Sequence, residues 1–66
     1  MKIQLNGQER ELAEGLTVTQ LLQDLNIQPE RVVVELNLAI LKRAQHPAML
    51  LRAGDRVEIV QFVGGG

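Results

Sequence analysis

The feature that most constrains the fold of this chain is its single segment with the pattern of an amphipathic helix, over residues 17–25. Thr17 is placed to cap the helix, and Gln20 follows three residues later, which is the spacing of a capping box. The apolar side chains at helical spacing are Val18, Leu21, Leu22 and Leu25. One short helix cannot bury its own apolar stripe, so the rest of the chain must supply a surface that covers it.

The segments on both sides of this helix have the alternation or the β-branched content that is typical of strands. Before the helix we expect a hairpin, because Asn6-Gly7 tolerates the positive φ angles of a two-residue turn. We expect strands over residues 2–6, 8–12, 32–36, 40–41 and 56–63. The β-branched strand 32–36 is expected to be central.

A mixed sheet of four to five strands, with the one main helix packed on one face, buries both apolar surfaces. A right-handed crossover places strand 32–36 or strand 56–63 parallel to strand 2–6. The sequence therefore predicts an α+β fold with the β-grasp arrangement. We expect one domain over residues 1–63 and a flexible glycine tail over residues 64–66.

Composition excludes several classes of function. The sequence has no Cys and only one His, so it offers no thiolate metal site, no thiol nucleophile and no pair of His ligands. A net charge of −1 and a single aromatic residue, Phe62, argue against nucleic-acid binding. No apolar run approaches the ~20 residues that cross a bilayer, and no signal-peptide pattern follows Lys2. We expect a cytoplasmic protein that is monomeric when free and binds no metal, nucleic acid or membrane.

No side chain of the chain is expected to be catalytic. The carboxylates are spread along the sequence without pairing, so an acid–base site is not predicted. Residues 43–48 are predicted to be irregular, because His46-Pro47 disfavours helix, and His46 is expected in a loop. Arg52, Arg56 and Glu58 are expected on a solvated face.

The last strand has two faces of different chemistry. If Val57 and Ile59 face the helix, Val60 and Phe62 face away from it. Val33 of strand 32–36 is expected on the same outer face. Scattered exposed apolar side chains are common, but these lie next to the C-terminus, so we predict that Val33, Val60 and Phe62 form a partner surface.

The chain ends in Gly64, Gly65 and Gly66, which have no side chain to bury. An expression remnant or a frayed terminus are two plain interpretations. The chemical interpretation is that a partner uses ATP to activate the terminal carboxylate, which is anionic and a poor electrophile at neutral pH. Three extended residues reach about 10 Å, and without side chains they fit a narrow channel. We therefore predict Gly66 as the modified residue, with Gly64 and Gly65 in the partner's channel.

These residues resemble the ThiS-type sulfur carrier family of the ubiquitin-like β-grasp superfamily. The similar segments are 3–7, 15–18, 21–22, 34–37, 54–60 and 62–66, which together span nearly the full length. The most specific part is the run over residues 54–60 followed by the terminal diglycine. Lys42-Arg43 departs from the Pro-Arg pair that relatives often show, so a solvated charge pair is expected there.

The resemblance implies that a ThiF-like enzyme adenylates the Gly66 carboxylate with ATP and magnesium, while the chain itself binds no cofactor. Sulfur from a cysteine desulfurase route then replaces one oxygen. The resulting thiocarboxylate donates its sulfur to a ThiG-like thiazole synthase of thiamin biosynthesis. The alternatives are a small subunit of molybdopterin synthase, another β-grasp sulfur carrier, or a ubiquitin-like interaction module whose tail is never activated.

Overall fold

The computed structural model describes residues 1–62, which form a five-stranded mixed sheet with one α-helix packed on one face. The strands are β1 (Lys2–Leu5), β2 (Gln8–Glu11), β3 (Val32–Leu36), β4 (Ala39–Leu41) and β5 (Arg56–Gln61), and the helix is α1 (Val18–Asp24). Their order across the sheet is β2-β1-β5-β3-β4. β1 and β5 are parallel, while the other neighbouring pairs are antiparallel. The predicted α+β fold is therefore confirmed, and the last strand is the one parallel to the first.

The core lies between α1 and the inner face of the sheet. Its buried side chains are Ile3, Leu5, Val18, Leu21, Leu22, Val32, Val34, Leu41, Leu51 and Val57. Each fully buried aliphatic side chain of this kind contributes about 1.5–3 kcal/mol relative to an exposed one. The apolar side chains that alternate along the strands and those at helical spacing along α1 therefore pack together in one cluster.

Local signals in the sequence account for the ends of the first elements. Asn6 and Gly7 adopt φ angles of 48° and 80°, as the predicted hairpin turn requires. The predicted capping box is also present: Thr17 Oγ1 accepts from the Gln20 amide at 3.2 Å, and Gln20 Oε1 accepts from the Thr17 amide at 2.9 Å. These bonds satisfy amides of the first turn that have no partner inside the helix.

The prediction that strand 32–36 is central is confirmed, because β3 lies between β5 and β4, while β5 is the middle strand of the five. One strand boundary needs correction. β5 ends at Gln61 rather than at Val63, and Val63 lies outside the described residues. The pairing nevertheless continues for one more residue, because the Phe62 amide donates to the Arg31 carbonyl at 2.9 Å.

The prediction of irregular structure over residues 43–48 was wrong, because Arg43–Ala48 forms a 3₁₀ helix that includes Pro47. The Gln45 amide donates to the Lys42 carbonyl at 2.8 Å, while Gln45 Oε1 accepts from the Lys42 amide at 2.9 Å. Pro47 has no N–H to donate, but the pairing resumes after it, because the Met49 backbone amide donates to the His46 carbonyl at 3.4 Å.

Candidate functional site

The structure places the three residues of the predicted partner surface at one end of the outer face of the sheet. Val33 and Val60 are directly opposite each other in the β3–β5 ladder, so their side chains share a face. Phe62 follows Val60 by two residues in extended chain and lies toward the C-terminus. Val60 is 55% exposed and Phe62 59% exposed, whereas Val33 is half-buried. We call Val33, Val60 and Phe62 the outer patch.

The same face carries two features that the sequence analysis did not identify. Ile40 of β4 is 70% exposed and lies opposite Glu35 of β3. Glu35 in turn lies opposite Glu58 of β5. The strand register therefore sets these two residues opposite each other, which their spacing along the sequence does not indicate. The absence of an acid–base site stays a prediction. Glu58 is half-buried rather than fully solvated.

Two asparagine side chains fix β5, the strand that leads to the C-terminus. At one position Asn6 Oδ1 accepts from the Ile59 amide at 2.7 Å, and Asn6 Nδ2 donates to the Ile59 carbonyl at 3.3 Å. At the start of the strand, Asn37 Oδ1 accepts from the Arg56 backbone amide at 2.9 Å. The backbone amide of Asn37 also donates to the Arg56 carbonyl at 2.7 Å. Asn6 and Asn37 thus continue the hydrogen bonding to β5 just beyond the ends of β1 and β3.

The turn that follows β3 is held to the rest of the sheet through Asp55. Asn37 Nδ2 donates to Asp55 Oδ1 at 3.1 Å, and the Arg52 amide donates to Asp55 Oδ2 at 2.8 Å. Asn37 and Leu38 both have positive φ, at 52° and 71°. Asn tolerates the left-handed region better than Leu does, so this network stabilises a turn whose second residue is strained.

His46 was expected in a loop, but it lies in the 3₁₀ helix and is only 3% exposed. Neither Nδ1 nor Nε2 has a hydrogen-bond partner among the described residues. Burial lowers the pKa of His46 below its ordinary value, the Leu41 backbone carbonyl opposes this shift, and the Arg43 charge adds to it. Burial therefore favours the neutral form of the ring inside the fold.

Residues 1–62 contain no group of three His, Asp or Glu side chains that is arranged to hold a metal ion. A groove of about 260 Å³ lies beside the end of α1 and is lined mainly by apolar side chains, with Arg10, Asn6 and Gln61 as its polar groups. These polar groups offer no nucleophile and no acid–base pair. Over the same described range, no helix is long and apolar enough to cross a membrane.

The predicted modification and channel residues, Gly64, Gly65 and Gly66, lie outside the described residues. What the structure describes is their point of attachment. The C-terminal end of β5 and Phe62 are held in the sheet by pairing with β3 and Arg31. The last four residues of the chain therefore follow directly from the outer patch.

A comparison with protein families matches residues 3–66 to a family described as the ThiS family. Among solved structures, the crystal structure of a thiamine biosynthesis protein (ThiS) from Geobacter metallireducens superposes with a TM-score of 0.87. It is 42% identical, and the match covers 100% of both chains. This likeness confirms the predicted β-grasp fold.

The curated relatives differ in length, and two of them illustrate this difference. The sulfur carrier protein ThiS of Thermus thermophilus is 37% identical over 62 residues, which is 94% of this chain and 95% of that protein. A thiazole synthase of Magnetococcus marinus is 42% identical over all 66 residues, but the chain spans only 20% of that protein's length. A domain similar to this whole chain is thus found both as a small protein and as one part of a larger one.

Proposed function

This chain belongs to the ThiS family, and from that premise we propose that it is a sulfur carrier of thiamin biosynthesis whose reactive group is the Gly66 carboxyl. The observation that carries the proposal is the family match over residues 3–66, which includes the glycine tail. The chemistry of the described residues agrees with it. They provide a folded domain with a buried core and an exposed patch beside the C-terminus, and among themselves they hold no cluster of three His, Asp or Glu side chains that could bind a metal ion.

The proposed reaction takes place at the terminal carboxyl and is catalysed by partner enzymes. A carboxylate oxygen of Gly66 attacks the α-phosphorus of ATP on a ThiF-like enzyme that uses magnesium, and pyrophosphate leaves. The terminal sulfur of a cysteine persulfide, formed through a cysteine desulfurase route, then attacks the acyl-adenylate, and AMP leaves with one carboxyl oxygen. A thiol reductant cleaves the S–S bond of the resulting acyl disulfide and is itself oxidised to a disulfide. The Gly66 thiocarboxylate released in this step is the sulfur donor. The chain is in this proposal a protein cosubstrate and not an enzyme.

We assign the tail and the outer patch complementary roles. Gly64 and Gly65 occupy the narrow channel of a partner, because no Cβ contacts its wall. The outer patch packs against the partner's surface next to that channel. Asn6 and Asn37 hold β5, which keeps the outer patch in place at the end of the described sheet.

The acceptor of the sulfur is proposed to be a ThiG-like thiazole synthase. Support comes from the Magnetococcus marinus thiazole synthase, in which a domain similar to this chain is part of the same protein. Two activities that share one chain act at high effective concentration, which favours transfer between them. The steps require ATP and a cysteine-derived sulfur source, and we propose the cytoplasm as their location.

Mass spectrometry of the reacted protein tests this proposal. The chain is incubated with the ThiF-like enzyme, ATP, magnesium, a cysteine desulfurase, cysteine and a thiol reductant. The expected product has one oxygen replaced by sulfur in the C-terminal fragment. Localisation to that fragment is necessary, because oxidation of Met1 or Met49 gives nearly the same change in intact mass. A chain that lacks Gly66 is expected to stay unlabelled while its circular dichroism spectrum is unchanged.

If the chain without Gly66 is labelled as well as the full chain, the assigned position is wrong. If the full chain forms no adenylate and gains no sulfur, the carrier role is wrong, and the chain is better described as a ubiquitin-like interaction module.

A further inference from the structure

One buried side chain attaches the segment that follows β4 to the rest of the domain. Within residues 42–48, which we call the latch segment, His46 is buried and every other side chain is exposed. The 3₁₀ helix of this segment packs against α1. Since a single side chain supplies the buried contact, any change that disfavours the burial of His46 weakens the attachment of the whole segment.

The hydrogen bonds of the latch segment are local. The Gln45 amide donates to the Lys42 carbonyl at 2.8 Å, and the Lys42 amide donates to Gln45 Oε1 at 2.9 Å. The Met49 amide, just beyond the segment, donates to the His46 carbonyl at the long distance of 3.4 Å. Within the described residues 1–62, no hydrogen bond or ion pair joins residues 42–48 to another strand or helix. Packing of the imidazole is thus the main restraint on the segment.

The chain on both sides of the latch segment is anchored independently. Before it, Leu41 pairs with Val34 in the β3–β4 ladder. After it, the Met49 carbonyl accepts from the Val18 amide at 3.0 Å, and the Leu51 amide donates to a backbone carbonyl just before α1 at 2.8 Å. The segment can therefore leave the domain as a unit, because its departure breaks no hydrogen bond of the sheet or of α1.

The surroundings of the ring disfavour a charged imidazole. Neither ring nitrogen of His46 has a hydrogen-bond partner among the described residues. Burial lowers the pKa of His46, the Leu41 carbonyl opposes this shift, and the Arg43 charge adds to it. Of the neighbouring elements, β4 has no charged residue, and α1 carries only Asp24, which is exposed at its end. Within residues 1–62, no carboxylate forms an ion pair with the ring.

We propose that the latch segment is a proton-sensitive cover on α1, which stays closed while the His46 ring is neutral and opens, with the sheet intact, when the ring takes up a proton. Water solvates the imidazolium in the open form, whereas the closed form buries it without a partner. Opening also uncovers the part of α1 that packs against the segment. Acidification thus gives the domain a second exposed surface, separate from the outer patch.

The direction of the effect follows from proton linkage. In the open form His46 has its ordinary pKa of about 6.5, and in the closed form its pKa is lower. The advantage of the closed form is therefore complete above about pH 6.5, and it is lost as the pH falls through the lowered pKa. Between these two values, the ratio of open to closed chains rises by up to about tenfold for each pH unit.

Amide hydrogen exchange, measured by NMR on the full chain from about pH 5 to about pH 7.5, tests the proposal. Each rate is divided by the intrinsic rate at the same pH, so that the quotient reports opening alone. The reporters are the amides of Gln45 and Met49, and the references are the amides of Asn6 and Leu25, which donate within the sheet and within α1. Protection of the reporters is expected to fall by up to about tenfold for each pH unit below about 6.5. Protection of the references is expected to stay constant within about twofold.

Three variants identify the group that takes up the proton. His46→Leu keeps an apolar side chain in the buried position, so protection of the reporters is expected to become independent of pH. Arg43→Gln removes the cation beside the ring and raises the pKa of the closed form, so opening near about pH 5.5 is expected to be about two- to threefold smaller. Arg52→Gln is the matched control, because Arg52 is also exposed but does not shift the pKa of His46.

The proposal is overturned if the reporters keep their protection at low pH. It is also overturned if reporters and references lose protection together, which would indicate unfolding of the whole domain. The same holds if His46→Leu retains the pH dependence, or if Arg43→Gln and Arg52→Gln have equal effects. If His46→Leu does not fold, the comparison of the two arginine variants decides. No partner enzyme is present, so the result is independent of sulfur labelling at Gly66.

Discussion

The two faces of the sheet differ in what their side chains do. The inner face packs Ile3, Val34 and Val57 against α1, and these side chains are almost fully buried. The outer face leaves apolar side chains exposed and sets two carboxylates opposite each other. A small domain gains most of its stability from the first arrangement and none from the second. The same strands thus bury one side for stability, while the other side is the proposed surface for partner recognition.

The largest expected effect tests the inner face. Leu21→Ala removes a side chain that is 1% exposed, and we expect it to lower the free energy of unfolding by about 3 kcal/mol through lost burial and a residual cavity. Urea denaturation measures this loss. The milder variant Ile3→Val is expected to lower the same quantity by about 1 kcal/mol, and it keeps the test valid if Leu21→Ala does not fold. A loss below about 0.5 kcal/mol for Leu21→Ala would contradict the assigned core.

The next largest effect is expected at Asn37, whose side chain holds the start of β5. Asn37→Ala removes a hydrogen bond to the Arg56 amide and another to Asp55, so we expect a loss of about 1–2 kcal/mol of unfolding free energy. Hydrogen exchange should also be faster at the amide of Arg56. Asn26→Ala is a useful control, because Asn26 also has positive φ but has no side-chain hydrogen bond among those described. Equal losses for both variants would indicate backbone strain instead.

The outer face is tested by Phe62→Asp. The substitution places a charge in the outer patch but disturbs no buried contact, so the melting temperature is expected to stay within about 1–2 °C of the unaltered chain. Binding to the ThiF-like enzyme is expected to weaken about tenfold, as measured by titration calorimetry. Unchanged affinity would show that the patch is ordinary surface, and a large loss of stability would show that the two faces are not separate.

The smallest expected effect is a dependence on pH. Burial lowers the pKa of His46 in the folded chain, while the unfolded chain has the ordinary value of about 6.5. The contribution of neutral His46 to stability is therefore complete above pH 6.5 and is lost as pH falls through the lowered folded pKa. His46→Leu is expected to make the fall in unfolding free energy below pH 6.5 less steep. An identical pH profile for both proteins would contradict the neutral buried ring.

The sequence predicted those features that depend on neighbouring residues. The Thr17 capping box and the Asn6-Gly7 turn are set by contacts within a few positions, and the structure contains both. Alternation along strand 56–63 likewise predicted that Val60 and Phe62 are exposed. The functional roles of the outer patch and of Gly64, Gly65 and Gly66 stay predictions.

Features that depend on distant residues were not predicted. The pairing of Glu35 with Glu58 follows from the register between two strands that are far apart in sequence. Burial of His46 follows from packing of its 3₁₀ helix against α1, and no local pattern around His46-Pro47 indicates this contact. The middle position of β5 also depends on which strand pairs with β1, and two alternatives were compatible with the crossover rule.

The most direct measurement is the mass of the C-terminal fragment after reaction, compared between the chain with a free Gly66 carboxyl and one that ends in a C-terminal amide. The amide removes the nucleophilic oxygen but leaves the folded domain unaltered. We expect sulfur in place of oxygen at Gly66 of the free form and no change in the amide form. Sulfur found on both forms, or on any residue within 1–62, would contradict the proposed role of the Gly66 carboxyl.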